Sequence, residues 1–257
     1  MPGTEFLLLR LEAPLMAFGG PMVDHIGQTR SFPGQAQITG LLGNALGYRH
    51  RDTDALDTLQ RRLLFAAALV RPGEPLRDYH TVDLSRKHLT GTGWTTRDMA
   101  ETRGGASGES THIRHRWYLA DALVLVALTL VPGDVAPSLD DLATVLDCPA
   151  RPLFIGRKPC LPTAPIRLGK VRVADAKAAL HEAQLLLAQT GPVGQAGERG
   201  KDTCIRVEAD ARLASDTTPN DEEADRVVDR RDWRNQMHTG QRAVRRFSMQ
   251  RVAELAR

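Results

Sequence analysis

The most constraining feature of the sequence is a segment at residues 29–48, in which apolar residues recur at helical spacing with glycines between them. The apolar positions are Ile38, Leu41, Leu42, Ala45 and Leu46. They follow the i, i+3, i+4, i+7 and i+8 pattern of one helix face. The pattern therefore predicts a helix that buries this stripe in a hydrophobic core.

Three glycines, Gly40, Gly43 and Gly47, fall on the opposite side of the same predicted helix. A glycine inside a helix costs about 1 kcal/mol relative to alanine, so a compensating contact is required. A face without side chains allows a backbone, of protein or of nucleic acid, to lie directly against the helix. The alternative is that a second helix packs there and no ligand is involved.

The overall charge leaves both nucleic-acid binding and ordinary enzymes open. The 257 residues have a net charge of +3 and a sequence pI near 8.9. This length suits one large domain or two small ones. The sequence contains neither an apolar run of about 18 residues nor a signal-peptide pattern. We therefore expect a cytoplasmic protein with no membrane partner.

The cysteines and histidines do not form a recognisable metal or disulfide pattern. Cys148, Cys160 and Cys204 are odd in number and contain no Cys-x-x-Cys pair, which is typical of free thiols in a reducing compartment. His112 and His115 are close in sequence, but their spacing is common by chance. We expect no disulfide framework, no metal site and no cofactor.

The order of the predicted elements indicates the fold class. Strand-like apolar runs lie at residues 6–11, 64–70 and 119–131, and helical periodicity lies at residues 29–48, 52–63 and 138–146. Ser138 followed by Asp141 resembles a capping box at a helix start. With a further strand at residues 153–155, the order is strand, helix, strand, arm, strand, helix, strand. This order predicts an α+β fold with a split βαβ, ferredoxin-like domain.

Residues 73–117 differ from the rest, because apolar residues become sparse while glycines and basic residues concentrate. A loop of this length in a compact domain is usually functional or disordered. Strand-like pieces such as residues 79–84 predict a protruding β-hairpin arm. The alternative is a solvated, flexible insertion, because acidic residues partly balance its charge.

The pattern weakens beyond Cys160. Asp175 can cap a helix that runs to Gln189, and residues 203–208 alternate like a strand. The C-terminal tail is rich in arginine: Arg226, Arg230, Arg231, Arg234, Arg242, Arg245, Arg246 and Arg251. The tail is either a second basic surface or a solvated charged face.

Five segments, taken in order, resemble the Cas-five family of CRISPR-associated proteins, and within it the CasD group of the type I-E Cascade surveillance complex. They are LRLEAPLMAFG at residues 9–19, TGLLGNALG at 39–47, LRDYHTV at 76–82, YLADA at 118–122 and IGRKPC at 155–160. The segment TGLLGNALG alone would be weak evidence for this resemblance, whereas the ordered set of five segments is specific to the family.

The resemblance implies a domain organisation and a set of partners. A ferredoxin-like, RNA-recognition-type domain would occupy residues 1–158, with a long β-hairpin thumb inserted at about residues 73–117. A smaller, mostly β domain with the basic tail would occupy residues 159–257. Such proteins hold the 5′ handle of the CRISPR RNA and cap the backbone filament. They contact the backbone subunit and the large subunit, and they meet target DNA indirectly through the complex.

Composition and resemblance together predict RNA contacts from the glycine helix, the arm and the segment after residue 155. The predicted residues are Arg30, Gln35, Thr39, Gly40, Gly43, Asn44, Arg77, Tyr79, His80, Arg86, Lys87, Trp94, Arg103, Arg116, Arg157 and Lys158. Tyr79, His80 and Trp94 are candidate stacking surfaces, and the basic residues are candidate phosphate partners.

One departure from the family concerns the start of the glycine helix. Relatives often carry a basic residue followed by serine where this chain has Gln35 and Ala36. Unsatisfied N–H groups at a helix N-terminus can still bind phosphate, because the helix dipole favours anions. Arg30 is a candidate for the missing charge.

Two alternatives to non-catalytic RNA binding remain open. Some relatives from another CRISPR subtype cleave repeat RNA without a metal, and Tyr79, His80, Lys87 and His88 supply the residue types that they use. The type I-E resemblance implies no catalytic residues, since a separate subunit processes the RNA there. The second alternative is a scaffold subunit whose basic surfaces meet only protein.

Overall fold

The computed structural model describes residues 3–21, 26–83, 93–94, 100–101, 111–190, 203–213 and 224–252. Its helices are α1 (Gln35–Ala45), α2 (Thr53–Arg62), α3 (Leu139–Asp147) and α4 (Ala176–Gln189). Its strands are β1 (Thr4–Glu12), β2 (Leu15–Met16), β3 (Ile26–Gly27), β4 (Leu63–Arg71), β5 (Glu74–Asp83), β6 (Gly93–Trp94), β7 (Ala100–Glu101), β8 (Thr111–Ala120), β9 (Leu123–Leu130), β10 (Arg167–Val173), β11 (Cys204–Asp210), β12 (Asp225–Val228), β13 (Arg231–Asp232), β14 (Met237–His238) and β15 (Gln241–Gln250).

A seven-stranded antiparallel sheet organises the fold, in the order β10-β1-β9-β4-β11-β15-β12. Strand β9 is buried along its whole length and β4 along all but Arg71. Burial on both faces explains why these two strands read as unbroken apolar runs rather than as alternating ones. The α+β class predicted from the sequence is confirmed.

The helices cover both faces of this sheet. Because side chains alternate along a strand, Leu7 and Leu9 of β1 pack in the core cluster with α1, α2 and α3. Phe6 and Leu8 pack in the second cluster with α4. None of these four helices, within the part of the chain that the structure describes, is long and apolar enough to span a membrane.

Helix caps predicted from local sequence are present. Ser138 caps α3 in a reciprocal capping box: its Oγ accepts from the Asp141 N–H at 3.1 Å, and Asp141 Oδ2 accepts from the Ser138 N–H at 2.8 Å. The hydrogen bonds that the Ser138 N–H and hydroxyl donate to the Asp141 carboxylate lower the pKa of Asp141 from its usual value. Asp175 caps α4 by accepting from the Ala178 N–H at 2.8 Å. Both caps depend only on residues within one helical turn, which is why they can be predicted from the sequence.

The apolar stripe of α1 is buried as predicted, with Ile38, Leu41, Leu42 and Ala45 in the core. Side chains of this chain pack against its glycine face. A Cβ at Gly43 would lie 2.6 Å from Leu56 Cδ2 of α2, and a Cβ at Gly40 would lie 3.6 Å from the Trp233 ring. Helix α2 therefore packs against this face at Gly43.

Gly47 has a separate purpose, because it follows the end of α1 with φ at +84°. The Tyr48 N–H donates to the Gly43 carbonyl at 2.8 Å, and the Gly47 N–H donates to the Asn44 carbonyl at 3.2 Å. This is the Schellman arrangement, in which glycine takes the left-handed position at little cost. The glycine ends the helix and turns the chain toward Tyr48.

The start of α1 is occupied by an anion from the C-terminal region. Asp229 Oδ2 accepts from the Gln35 N–H at 3.1 Å, and the Asp229 carbonyl accepts from the Ala36 N–H at 2.8 Å. The N-cap residue Gly34 has no side chain to do this. The expectation that this helix start is open to phosphate is wrong, since an aspartate 194 residues later in the chain takes the position.

Asp229 also anchors a buried cation. Arg242 is 1% exposed and donates to Asp229 Oδ2 from Nε at 3.0 Å and from Nη2 at 2.7 Å. Its guanidinium lies 4.4 Å from the Phe65 ring centre, and its Nη2 lies 3.4 Å from Glu208 Oε1. One ionic cluster therefore joins α1, β4, β11 and β15.

The predicted strand at residues 153–155 is wrong, because this segment is an irregular loop. The Ile155 N–H donates to the Cys160 carbonyl at 2.7 Å across a turn containing Gly156, whose φ is +100°. The strand beside β1 is instead β10, an edge strand whose residues are mostly half-exposed. Its sequence, RLGKVRV, has no long apolar run, so a search for buried strands misses it.

The predicted division after residue 158 stays a prediction. In the structure β1, β4 and β9 share one sheet with β10, β11, β12 and β15, which follow that position in the chain. The apolar run at 119–131 also holds two elements, because β8 ends at Ala120 and Asp121 turns the chain with φ at 55° before β9 begins.

The predicted arm contains a paired hairpin. Strands β5 and β8 pair antiparallel from Glu74 opposite Ala120 to Asp83 opposite Thr111. Strands β2 and β3 also pair with β8, so the hairpin belongs to a second sheet. The hairpin is inserted between β4 and β9, two neighbours in the large sheet.

We expect Asp229→Ala to lower the free energy of unfolding by about 3–5 kcal/mol, the usual cost of leaving a buried charge without its partner. The matched control is Asp225→Ala, which also removes an aspartate paired with an arginine of β15, but at an exposed position. It should cost less than about 1 kcal/mol. Urea unfolding measures both, and equal losses would contradict this assignment.

Candidate RNA-binding groove

A groove of about 1280 Å³ lies against the glycine face of α1. Its walls are α1, the middle of β8, the loop at residues 151–159 and the β13–β14 hairpin. Gly40, Gly43 and Asn44 contribute the α1 side. We call this feature the groove.

The groove is strongly cationic. Its lining includes Arg49, Arg114, Arg116, Arg151, Arg157, Lys158 and Arg231. His50, His115 and His238 also line it, and Asp229 is the one acidic residue among the described lining residues. Because Asp229 is already paired with Arg242 and the start of α1, its charge does little to offset the arginines. The groove therefore attracts anions.

Two of the arginines are fixed by neutral acceptors. Arg157 donates to the carbonyls of Trp117 at 2.9 Å and Gly27 at 3.1 Å, and its guanidinium lies 4.7 Å from the Tyr118 ring centre. Arg151 Nε donates to Asn44 Oδ1 at 2.8 Å. A carbonyl orients a guanidinium without cancelling its charge, so both residues keep their full positive charge toward the groove.

Arg114, Arg116 and Lys158 are exposed. Arg114 and Arg116 are two residues apart on β8 and so lie on the same face of that strand. No carboxylate contact joins any of the three within the described residues. Their charges are available to a ligand.

The β13–β14 hairpin forms another wall of the groove. Trp233 is buried against Gly40, and the Arg231 guanidinium lies 5.5 Å from the Trp233 ring centre. Three buried nitrogen atoms of this wall have no hydrogen-bond partner within the described residues: Arg231 Nε, Trp233 Nε1 and His238 Nδ1. Burial lowers the pKa of Arg231 and, together with the charge of Arg231, the pKa of His238.

The groove brings together six of the predicted site residues, which come from three separate segments. They are Gly40, Gly43, Asn44, Arg116, Arg157 and Lys158. Asn44 acts as a positioning residue, because its amide joins Arg151 to the Pro152 carbonyl at 2.8 Å. Arg30 lies elsewhere, in a second cleft described below.

Gln35 and Thr39 were predicted to contact RNA, but both side chains are fully buried. The Gln35 amide donates to the carbonyls of Gln60 at 2.8 Å and Leu63 at 3.0 Å, and it accepts from Arg230 Nε at 2.9 Å. These bonds engage both N–H groups and the oxygen of the amide. Its role is to fix α1 on the end of α2, so the prediction of direct contact from these side chains is wrong.

The hairpin residues outside the groove divide between two faces. Tyr79 lies with Arg77 on one face, where its ring centre is 5.3 Å from that of His115 and where Arg77 lies 6.0 Å from the Trp117 ring. His80 lies on the other face, with its Nε2 2.5 Å from Asp78 Oδ2. Adjacent strand residues point in opposite directions, so Tyr79 and His80 cannot converge on one scissile bond.

Five predicted residues cannot be placed. Arg86, Lys87, His88 and Arg103 lie outside the described residues, as does the side chain of Trp94, whose backbone belongs to β6. Within the described part of the chain, no group of three or more His, Cys, Asp or Glu residues is arranged to hold a metal.

Sequence reasoning missed several residues of the groove. Arg49 and His50 directly follow the glycine helix in a short basic run, Tyr48 to Arg51, and this run was an available signal. Arg151 lies between Ala150 and Pro152, away from any run of basic residues, and gives no local signal. Arg231 and His238 reach the groove through the β13–β14 hairpin, which only the tertiary structure reveals.

Acidification should destabilise the fold through His238. Its pKa is lowered from 6.5 in the folded chain, so the unfolded chain binds a proton first as the pH falls below that value. We therefore expect the free energy of unfolding to fall below about pH 6.5. The decrease should be smaller in His238→Gln. His181→Gln, at an exposed position on α4, is the control, and an unchanged slope in His238→Gln would contradict the assignment.

Comparisons with known proteins agree with this architecture. One solved structure described as a CRISPR RNA-guided surveillance complex matches with a TM-score of 0.66 and 23% identity, over 97% of this chain and 92% of the other. A second, described as the crystal structure of a Cas protein, matches with a TM-score of 0.55 and 20% identity, over 96% of this chain and 95% of the other. These similarities show the fold.

Sequence comparison identifies the family. The CRISPR system Cascade subunit CasD of Escherichia coli (strain K12) is 32% identical over 187 residues, which cover 68% of this chain and 75% of that protein. The family model described as CRISPR-associated protein (Cas_Cas5) matches residues 6–245. The chain therefore belongs to the Cas-five family of CRISPR-associated proteins and is similar to CasD.

Proposed function

We propose that this chain is a non-catalytic RNA-binding subunit of a type I-E Cascade surveillance complex, and that its groove holds the 5′ handle of the CRISPR RNA. The observation that carries the proposal is the cationic groove, in which seven Lys and Arg residues face one neutralised aspartate. Its volume of about 1280 Å³ is large enough for several nucleotides. Because the chain belongs to the Cas-five family, we propose CRISPR RNA as the ligand.

Single-stranded RNA is held by phosphate contacts, stacking and hydrogen bonds to bases. Arg114, Arg116 and Lys158 supply free charges for phosphates. Tyr48 and Phe154 are half-buried at the groove and supply apolar surface. Aromatic residues make up only 5% of the chain, so arginine and backbone groups carry most of the recognition. The binding is therefore salt-dependent.

We also propose the finer architecture that the family resemblance implies. Elements β1, α1 with α2, β4, β9, α3 and β10 follow the β-α-β-β-α-β order of a ferredoxin-like domain. The β5–β8 hairpin is inserted between β4 and β9, where a thumb belongs. Because β10 lies beyond residue 158, the RNA-recognition-type unit then extends through β10, past the boundary that the resemblance implies, and the remaining residues form a smaller unit.

The partners follow from the same assignment. The chain caps the backbone filament, contacts the backbone subunit and the large subunit, and meets target DNA through the complex in the cytoplasm. Support comes from the hairpin face that carries Tyr79 and Ile113, which are 57% and 42% exposed. Large apolar side chains on a protruding surface are typical of a protein interface.

Charge reversal in the groove tests RNA binding. Arg116→Glu with Lys158→Glu should weaken binding of handle RNA by at least tenfold at about 0.1 M salt, because two phosphate contacts become repulsive. The control pairs Arg245→Glu with Lys177→Glu, two exposed basic residues on the α4 side of the sheet. Filter binding or anisotropy with labelled handle RNA measures the affinity.

Two outcomes would contradict this proposal. Equal effects of the two double variants would mean that binding is not specific to the groove. A wild-type chain with no preference for handle RNA would support a protein-only scaffold.

Cleavage is tested on a denaturing gel with end-labelled CRISPR repeat RNA in EDTA. We expect intact RNA, because the hairpin directs Tyr79 and His80 to opposite faces. A single cut at the handle boundary would instead identify a metal-independent endoribonuclease. Tyr79→Phe and His80→Asn would then show which side chains cleave.

A further inference from the structure

A second concavity, of about 580 Å³, lies beyond the N-terminus of α1. It is bounded by the loop at residues 29–32 and by strands β11 and β15. Three arginines reach it from these three segments, Arg30, Arg206 and Arg246. Ser31 and Ser248 are exposed beside them. We call this feature the arginine cleft.

The single acidic residue among the described lining residues of the cleft is already neutralised. Glu208 is 1% exposed. Its Oε2 accepts from Arg246 Nε at 3.1 Å and Nη2 at 3.0 Å, and its Oε1 lies 3.4 Å from Arg242 Nη2. Two guanidinium groups contact this one buried carboxylate, so its single negative charge is outweighed before Arg206 is counted.

Arg206 is the unbalanced charge of the cleft. It is exposed on β11, two residues before Glu208 and on the same strand face. No ion pair joins it to a carboxylate within the described residues. Asp225 pairs with Arg246 and Glu208 contacts Arg242 and Arg246, so neither of these carboxylates is left to balance Arg206.

Arg30 connects the cleft to the groove. Its Nη2 lies 3.8 Å from Glu208 Oε1 in the cleft. Its Nη1 lies 3.8 Å from the position that a Cβ would take at Gly34, which lines the groove. The two concavities therefore meet at the start of α1, and the positive surface continues from one to the other.

We propose that the arginine cleft binds a backbone phosphate of the RNA strand where that strand continues out of the groove past the start of α1. Guanidinium and hydroxyl donors from several sides suit a phosphate group, which accepts through more than one oxygen. The proposal rests on RNA binding in the groove and adds a separate contact site. Asp229 closes the helix start itself, so the strand passes beside the helix rather than onto its N–H groups.

The test uses the full chain with two RNAs, the handle alone and the handle extended at either end by a few nucleotides. Wild-type chain should bind one of the extended RNAs more tightly than the handle alone. Arg206→Ala should remove most of that advantage, leave affinity for the handle unchanged, and reduce the slope of log K against log salt by about 0.7. Arg245→Ala is the control, since Arg245 is exposed on the opposite face of the sheet.

Each contrary result overturns a defined claim. Equal affinity of the wild-type chain for all RNAs, or an Arg206→Ala variant that keeps the advantage, would overturn the cleft but leave the groove. No binding of handle RNA by the wild-type chain would overturn the proposed function itself. A free phosphate ester as the ligand is tested with a mononucleotide. Saturable mononucleotide binding that Arg206→Ala abolishes, without any advantage for extended RNA, would overturn strand continuation.

Discussion

The position of the glycine helix depends on one carboxylate. Asp229 Oδ2 accepts from the Gln35 N–H at the start of α1, and the same oxygen holds the buried guanidinium of Arg242. Each partner alone would be costly, because a buried arginine without a counter-charge and a buried helix start without acceptors are both strongly destabilising. Together they join the middle of the chain to its C-terminal strands. One wall of the groove therefore exists only when the C-terminal region has docked.

The parts of the fold that the sequence predicts are those that depend on neighbouring residues. The stripe of α1, the capping box at Ser138 and the cap at Asp175 all act within one or two helical turns. The Asp229 contact joins positions 194 residues apart, and no local pattern indicates it. Strand β10 was missed for another reason, since an edge strand needs no apolar run.

At the candidate site, too, the sequence predicts local features better than tertiary contacts. The wrong prediction for Gln35 and Thr39, however, could have been avoided. Gln35 and Thr39 stand at i and i+4 on the side of α1 that also carries Leu42, so helical spacing alone places them with the buried stripe. Strand alternation likewise separates Tyr79 from His80. Both conclusions were available from the sequence. The contribution of Arg231 and His238 was not, because it depends on how the β13–β14 hairpin packs against α1.

The number of arginines in a segment is a poor guide to the charge that it presents. In the C-terminal tail Arg242 and Arg246 pair with carboxylates, Arg230 donates to Gln35 and Arg251 donates to the Val70 carbonyl at 2.5 Å. Much of the basic tail is therefore structural.

The charge that an arginine presents depends on the kind of acceptor that it contacts. A carboxylate cancels the charge that it orients, whereas a carbonyl or amide oxygen orients it and leaves it intact. Arg151 and Arg157 are held in the second way, so these two charges of the groove are oriented without being cancelled. An RNA-binding surface needs both properties, because preorganised charge binds phosphate without the entropic cost of ordering long side chains.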